Sequence, residues 1–264
     1  MLVFLKLGGS LITDKDRPYT ARLDVIKRIA DELYLAMKED SDLKVVLGHG
    51  SGSFGHFAAV ESGFREGAST KRHWLGFQRV WNSAHELNGI VIAECNKSGL
   101  PVVSFSPSAS LTADNKKIME WNTYPIKSAL ENELIPIVFG DTIFDRSLGG
   151  VILSTEELFL FLIDQLNPDR IILAGKEPGV WADFPEKTNL IPIITPEKYD
   201  GVKNKISSST SIDVTGGMHK KVTLMIEAVS KNPNLSVEII SGEIQGNIYK
   251  SLKGFKTGTT IAAK

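Results

Sequence analysis

The stretch LVFLKLGGSLITDK, residues 2–15, is a four-residue apolar run followed by Lys6, a double glycine, Ser10 and a second lysine, Lys15. A short apolar run that ends in glycine reads as a buried strand entering a turn. Glycines at a strand end let backbone N–H groups point into one hollow and bind an anion. Lys6 adds a full charge there and Ser10 a hydroxyl donor. The same residues also suit an ordinary tight strand-to-helix turn. They are not the common phosphate-loop pattern, G-x-x-x-x-G-K-[ST].

The pattern around this stretch recurs along the chain. A helix is expected over 22–40, with Leu23, Ile26, Ile29, Ala30, Leu33 and Met37 on one face. KVVLGHG (44–50) is a strand entering a second glycine turn. Residues 76–99 read as a helix stopped by Gly99. Strands follow at 101–107 and 135–141, with the helix YPIKSALENE between them. In the second half, STEELFLFLIDQL (154–166) is a helix capped by Ser154 or Thr155 with acids in its first turn. RIILAG (170–175) and SVEIISG (236–242) are strands, KKVTLMIEAVSK (220–231) is a helix, and GTTIAA (258–263) is the final strand. Strands alternating with helices give an α/β fold, a mainly parallel central sheet sandwiched by helices. No clean linker divides the chain, so residues 1–264 read as one domain with a soft lobe boundary near 150–168. Residues 176–212, rich in Pro, Lys, Asn and Ser, look like a long irregular excursion.

The 264 residues are enough for a substantial core, and 42% hydrophobic with 23% charged is ordinary globular composition. A net charge of −1 carries no overall nucleic-acid or membrane-surface signature. The single cysteine, Cys95, excludes an internal disulfide framework and reads as a small core residue in a reducing cytosol. MLVFL is too short for a signal core, and no apolar run approaches the roughly 20 residues that span a bilayer.

Three further stretches could carry chemistry. GHGSGSFGH (48–56) places four glycines after a strand end, and in open α/β sheets ligands bind outside such carboxyl ends. His56 closes that run in a turn open to ligand, whereas His49 is expected to be packed. In FGDTIFD (139–145), Gly140 ends a strand, and Asp141 could orient lysines, bind Mg2+ or make a local turn bond. Asp145 fits the turn role. In DVTGGMHKKV (213–222), Thr215, Gly216 and Gly217 open a helix whose N-terminus attracts phosphate, with Lys221 one turn further on. Together these turns and Lys6, Lys15 and Lys221 suggest a cradle for several phosphates, which is what phosphoryl transfer requires.

KLGGS, GHGSGSFGH, FGD, TGGMHKK and the GT of KTGTT, in this order over nearly the whole chain, resemble the amino acid kinase superfamily. KLGGSLITDK, GSFGH and residues 73–110 are most similar to its isopentenyl phosphate kinase branch. The resemblance implies an αβα sandwich with an acceptor lobe over roughly 1–160 and a nucleotide lobe over roughly 161–264. It implies a cytoplasmic, often homodimeric transferase of isoprene biosynthesis that uses ATP and Mg2+ to convert isopentenyl phosphate into isopentenyl diphosphate. By matching position, Lys6, Gly8, Gly9 and Ser10 would line the nucleotide phosphates, and Gly52, Gly217 and Lys221 would contact ATP. Lys15 would stabilise the transferring group. Ser51 and the Gly140 backbone would contact the acceptor, and His56 would donate to its phosphate. Asp141 would orient the lysines. No residue is implied as a direct metal ligand.

Two departures stand out. Ser51 replaces the middle glycine of the usual GGGSFGH, and GKEPG (175–179) stands where TDVDG is usual, removing an acidic contact on the nucleotide side. An isoprenoid acceptor needs an apolar wall, for which Trp74, Phe77, Trp81 and Ile90 are candidates. A second carboxylate would demand a cationic pocket instead, and Arg65, Arg72 and Arg79 are too spread out to form one. Two alternatives remain at this stage. One is a kinase of another small phosphate or phosphonate such as fosfomycin, whose branch shares the His219 placement; the other is a non-catalytic oxoanion binder on the same fold.

Overall fold

A computed structural model describes residues 1–64, 67–207 and 217–264. In chain order the first half runs β1 (Leu2–Leu7), α1 (Gly9–Ile12), α2 (Leu23–Glu39), β2 (Lys44–His49), α3 (Gly52–Ser62), α4 (Lys71–Lys97), β3 (Val102–Ser104), β4 (Leu111–Asp114), β5 (Lys117–Trp121), α5 (Tyr124–Glu131), β6 (Ile135–Phe139), β7 (Asp141–Asp145) and β8 (Gly149–Leu153). The second half runs α6 (Thr155–Leu166), β9 (Arg170–Gly175), β10 (Val180–Trp181), β11 (Leu190–Ile191), β12 (Ile193–Ile194), α7 (Pro196–Ser207), α8 (Gly217–Lys231), β13 (Ser236–Ser241), α9 (Asn247–Leu252) and β14 (Thr259–Ala262).

Eight strands form the central sheet in the order β12-β14-β13-β9-β1-β2-β6-β3. Every neighbouring pair is parallel except β13 with β14. The expected αβα sandwich is therefore present, and strands from both halves share one sheet. The alternation of β1 decides which helices cover which face. Val3, Leu5 and Leu7 pack with α2, α4 and α9 through Ile26, Ile29, Leu33, Leu87, Val91 and Leu252. Phe4 points the other way, into a core built with Phe159 and Leu162 of α6 and Met225 and Val229 of α8. Leu23, expected on the buried face of α2, is instead 51% exposed, because Val25 takes its place. Cys95 is buried as expected, and burial pushes its thiol up to about 12.

A second sheet, β5-β4-β7-β8, was not expected from the sequence. Its β4–β5 turn uses Asn115 and Lys116 at φ 47 and 64, the left-handed pair that matches strand twist in tight hairpins. Asp145 has the turn role expected of it, accepting from the amides of Asn115, Lys116, Ser147 and Leu148. The excursion over 176–212 contains β10 to β12 and the 12-residue helix α7; of SSSTS (207–211), residues 208–211 lie outside the described residues, as do Thr215, Gly216 and Arg65.

Leu5→Ala at the fully buried centre of β1 should cost about 3 kcal/mol in urea-unfolding free energy. Leu23→Ser should stay within about 0.5 kcal/mol of the parent. Equal losses would mean that Leu23 is not on the exposed face of α2.

Candidate active site

The carboxyl ends of β1, β2 and β9 open on one cavity of about 510 Å3. Lys6, Gly8, Gly9, Ser10, Lys15, Ser51, Gly52, His56, Gly140, Asp141, Gly217 and Lys221 all line it. Residues singled out from four separate stretches thus meet in one place.

Two glycine turns meet there backbone to backbone. A Cβ on Gly9 would lie 2.3 Å from the Gly52 nitrogen, and one on Gly50 would lie 2.9 Å from the Gly9 nitrogen. Gly52 itself adopts φ 50 with Thr13 Oγ1 where a side chain would go, a position that only glycine takes without strain. Thr13 ties the turns together, donating to the Gly9 carbonyl at 2.8 Å and accepting from the Ser53 amide at 2.9 Å. The amides of Gly9 and Ser10 in α1, and of Gly52 in α3, lie in first turns and have no intrahelical acceptor. Two of the expected backbone contacts are already used: the Gly8 N–H donates to Ala174 and the Gly140 N–H to His49. Gly140 lines the cavity without offering its amide.

GSFGH, expected to be an open turn, is the first turn and a half of α3. His56 therefore projects from a helix, partly exposed and edge-on to Phe57 at 5.7 Å. The side chain of Ser51 lies over Gly55, where an added Cβ would meet Ser51 Oγ at 2.1 Å. The bulk that Ser51 brings is thus accommodated by the bare Cα of Gly55. His49 is fully buried, stacked on Phe139 at 5.3 Å and within 3.1 Å of Asn88 Oδ1. Burial, joined by the charge of Lys6, keeps its imidazole pKa low, so it is neutral core.

The carboxylate that meets Lys6 is Glu156, not Asp141. Lys6 Nζ hydrogen-bonds Glu156 Oε1, and both side chains are about nine-tenths buried. The Asp141 carboxylate, though at the cavity wall, has other partners: it accepts from the Ser108 amide at 3.1 Å and the Thr142 amide at 2.8 Å and lies 3.4 Å from His85 Nε2. The physical reason is local. Ser154 and Glu157 form the capping box of α6, which leaves the neighbouring acid, Glu156, on the inward side of the first turn. Burial pushes the Glu156 carboxyl up, but Lys6 and Lys221 together outweigh it and hold it below the ordinary range. Lys220, beside Lys221 on α8, pairs with Glu157 at 3.1 Å. A sequence reading that assigned both acids to the helix end missed this; the signal was a second acid with no capping work left to do.

The two ends of the cavity differ. One end carries Phe57, Ala59, Val80, Ala84 and Ile152. The expected wall of Trp74, Phe77, Trp81 and Ile90 lies on adjacent stripes of α4. Trp74 and Phe77 pack with Phe144, Trp81 lies over His85, and Ile90 joins the core. The other end carries Trp181, Phe184, Lys176 and Glu177. An acid is thus present in GKEPG. Glu177 accepts from Trp181 Nε1 at 2.8 Å and Lys187 at 2.6 Å, and its carboxyl, pushed up by burial, is held low by these two bonds. Arg72 and Arg79 are exposed and away from the cavity.

The sequence model of the Amino acid kinase family matches residues 1–241. The chain belongs to this family. It is 32% identical to the isopentenyl phosphate kinase of Methanocaldococcus jannaschii over 99% of this chain and 98% of that protein. It is 34% identical to the isopentenyl phosphate kinase of Methanothermobacter thermautotrophicus over the full length of both. A solved isopentenyl phosphate kinase structure superposes with a TM-score of 0.83 at 31% identity, covering 99% of this chain and 100% of that one.

Because Glu156 titrates below its ordinary value of 4.5 when folded, the unfolded chain binds its proton first as pH falls. Its contribution to stability is complete above that value and is lost as pH drops through the folded one. Glu156→Gln should therefore flatten the fall in Tm on acidification below that value. The parent and variant losing Tm in parallel would show that Glu156 is not held low.

Proposed function

We propose that this chain transfers the γ-phosphoryl group of ATP to isopentenyl phosphate, giving isopentenyl diphosphate and ADP. The observation that carries the reading is one cavity that is cationic in the middle and apolar at the acceptor end, in a chain of this family with isopentenyl phosphate kinases as full-length relatives.

The two substrates sit at opposite ends. ATP places its phosphates against the amides of Gly9, Ser10 and Gly52 and the ammonium groups of Lys6 and Lys221, with its base toward Trp181 and Phe184. The acceptor phosphate lies at His56 and Ser51, and its hydrocarbon tail lies against Val80, Ala84 and Ile152. An acceptor phosphate oxygen attacks the γ-phosphorus, the bond to the β–γ bridging oxygen breaks, and ADP leaves. Phosphoryl transfer needs alignment and compensation of charge on the moving group. Lys15, at the mouth of the same cavity, supplies charge where the group passes. Glu156 holds Lys6 in place, and His56 donates to the acceptor phosphate.

Mg2+ belongs to the same reading. Among the described residues no group of three or more His, Cys, Asp or Glu could hold a metal, so the ion would be carried by phosphate oxygens and water, its usual partners in such sites. A homodimer and a cytoplasmic location are further parts of the proposal. They rest on likeness to the branch; in addition, no helix among the described residues is long and apolar enough to cross a membrane.

The deciding experiment is an acceptor panel with ATP and Mg2+, read as kcat/KM. Isopentenyl phosphate should exceed fosfomycin by orders of magnitude. The reverse order would establish the phosphonate alternative, and no ATP consumption with any acceptor would favour a passive oxoanion binder. Lys15→Ala should lower kcat by on the order of a hundredfold with KM little changed, as expected for charge acting mainly in the transition state. His56→Ala should cripple turnover with an unaltered circular dichroism spectrum, because the side chain is partly exposed and contributes little core.

A further inference from the structure

We propose that Tyr19 is a positioning residue for Lys15, latching the strap that carries this lysine onto helix α3. The proposal rests on the kinase reading of Lys15 given above.

Residues 14–20 form a short closed strap. Its base is fastened by the Thr13–Ala21 bridge, by the Asp14 N–H donating to Thr20 at 2.9 Å, and by the Arg22 N–H donating to Ile12 at 2.9 Å. Lys15 lies one residue beyond the Asp14–Thr20 bond, on the arm opposite Tyr19, exposed and yet lining the cavity. The base fastenings fix where the strap starts and ends. Within the strap the Asp16 N–H donates to Asp14 Oδ1 at 3.0 Å; that bond does not tie the strap to α3, and a lysine has four further rotatable bonds.

Tyr19 supplies the missing constraint. Its backbone is left-handed, φ 49, a conformation that a bulky L-residue keeps only where its surroundings hold it. That conformation turns the ring out of the strap and onto α3. The ring meets the buried Phe54 edge-on, at 6.0 Å and 86°, and the hydroxyl donates to Glu61 Oε2 at 2.8 Å. Burial and then the Glu61 carboxylate push the phenol up to about 12, so it remains a donor throughout the working pH range. Phe54 and Glu61 belong to the helix that begins at Gly52 and carries His56. The latch therefore sets Lys15 relative to the residue that would hold the acceptor phosphate. In a step sensitive to misplacement by an ångström, that is a large constraint from one side chain that does not itself line the cavity.

The test is a double-mutant cycle with Lys15. Tyr19→Ala should lower kcat about tenfold with both KM values changed less than about twofold. Tyr19→Phe, which keeps the ring contact and loses the hydroxyl bond, should lower kcat by about threefold. In the Lys15→Ala background, Tyr19→Ala should have no further effect on kcat, since there is no ammonium left to place. Equal losses in both backgrounds, or an unchanged kcat in Tyr19→Ala, would overturn the proposal. A readout independent of catalysis is trypsin cleavage after Lys15, followed by mass. It should quicken on the order of tenfold in Tyr19→Ala at unchanged Tm, as expected for local opening of an unlatched strap. Unchanged cleavage would overturn the latch even in an active enzyme. A parent protein with no turnover on any acceptor would instead defeat the kinase reading, with the cleavage rate still deciding whether Tyr19 holds the strap.

Discussion

A buried carboxylate is costly to desolvate unless a cation meets it, and the Glu156–Lys6 pair is where this fold meets that requirement. Lys6 ends the central strand β1, and Glu156 sits in the first turn of α6 on one face of the sheet. Their contact fixes the end of the strand against the end of the helix. It also leaves the largely buried Lys6 ammonium at the wall of the cavity. Lys221 on α8 acts on the same carboxylate. One acid thus gathers two cations from opposite ends of the chain, and the amides and lysines of the cavity are arranged around them. In such surroundings a charge acts more strongly than in water and needs no reorganisation when the reacting group arrives.

The second constraint is steric. Gly9 and Gly52 approach so closely that neither position tolerates a Cβ. Neighbouring parallel strands β1 and β2 bring the two turns side by side, and without side chains between them their amides can converge on one anion. Sheet order and glycine placement therefore work as one device. Either alone would give an ordinary strand-to-helix turn.

What was legible in the sequence was what local chemistry specifies. Apolar runs ending in glycine marked β1, β2 and β9, and a Ser154 or Thr155 cap followed by acids marked the start of α6. Each of these signals lies within about ten residues. What escaped depends on neighbours distant in sequence. Asp141 and Glu156 are both acids beside a strand end or helix start, and only the packing of α6 against β1 selects Glu156. GSFGH looked like open turn because of its glycines; as part of α3 it packs against α4, and tertiary contact overrides propensity. The β4–β5 hairpin was missed because Asn115–Lys116 contains no glycine, although both residues adopt positive φ. The apolar wall was placed on the right helix and the wrong stripe, since periodicity alone does not say which of two adjacent faces of α4 meets the cavity.

The shape of the cavity limits the acceptor more tightly than family membership does. An acceptor carrying a second carboxylate would need a cation at the end away from the transferring phosphate. That end is formed by Phe57, Ala59, Val80, Ala84 and Ile152, none of which can donate a hydrogen bond from its side chain. Burying a carboxylate there would leave it desolvated and unpaired, at a cost of several kcal/mol. A hydrocarbon tail in the same place gains about 0.8 kcal/mol per buried CH2. In the proposed reaction the cationic centre meets the phosphates, and the apolar end disfavours any acceptor tail that it cannot solvate.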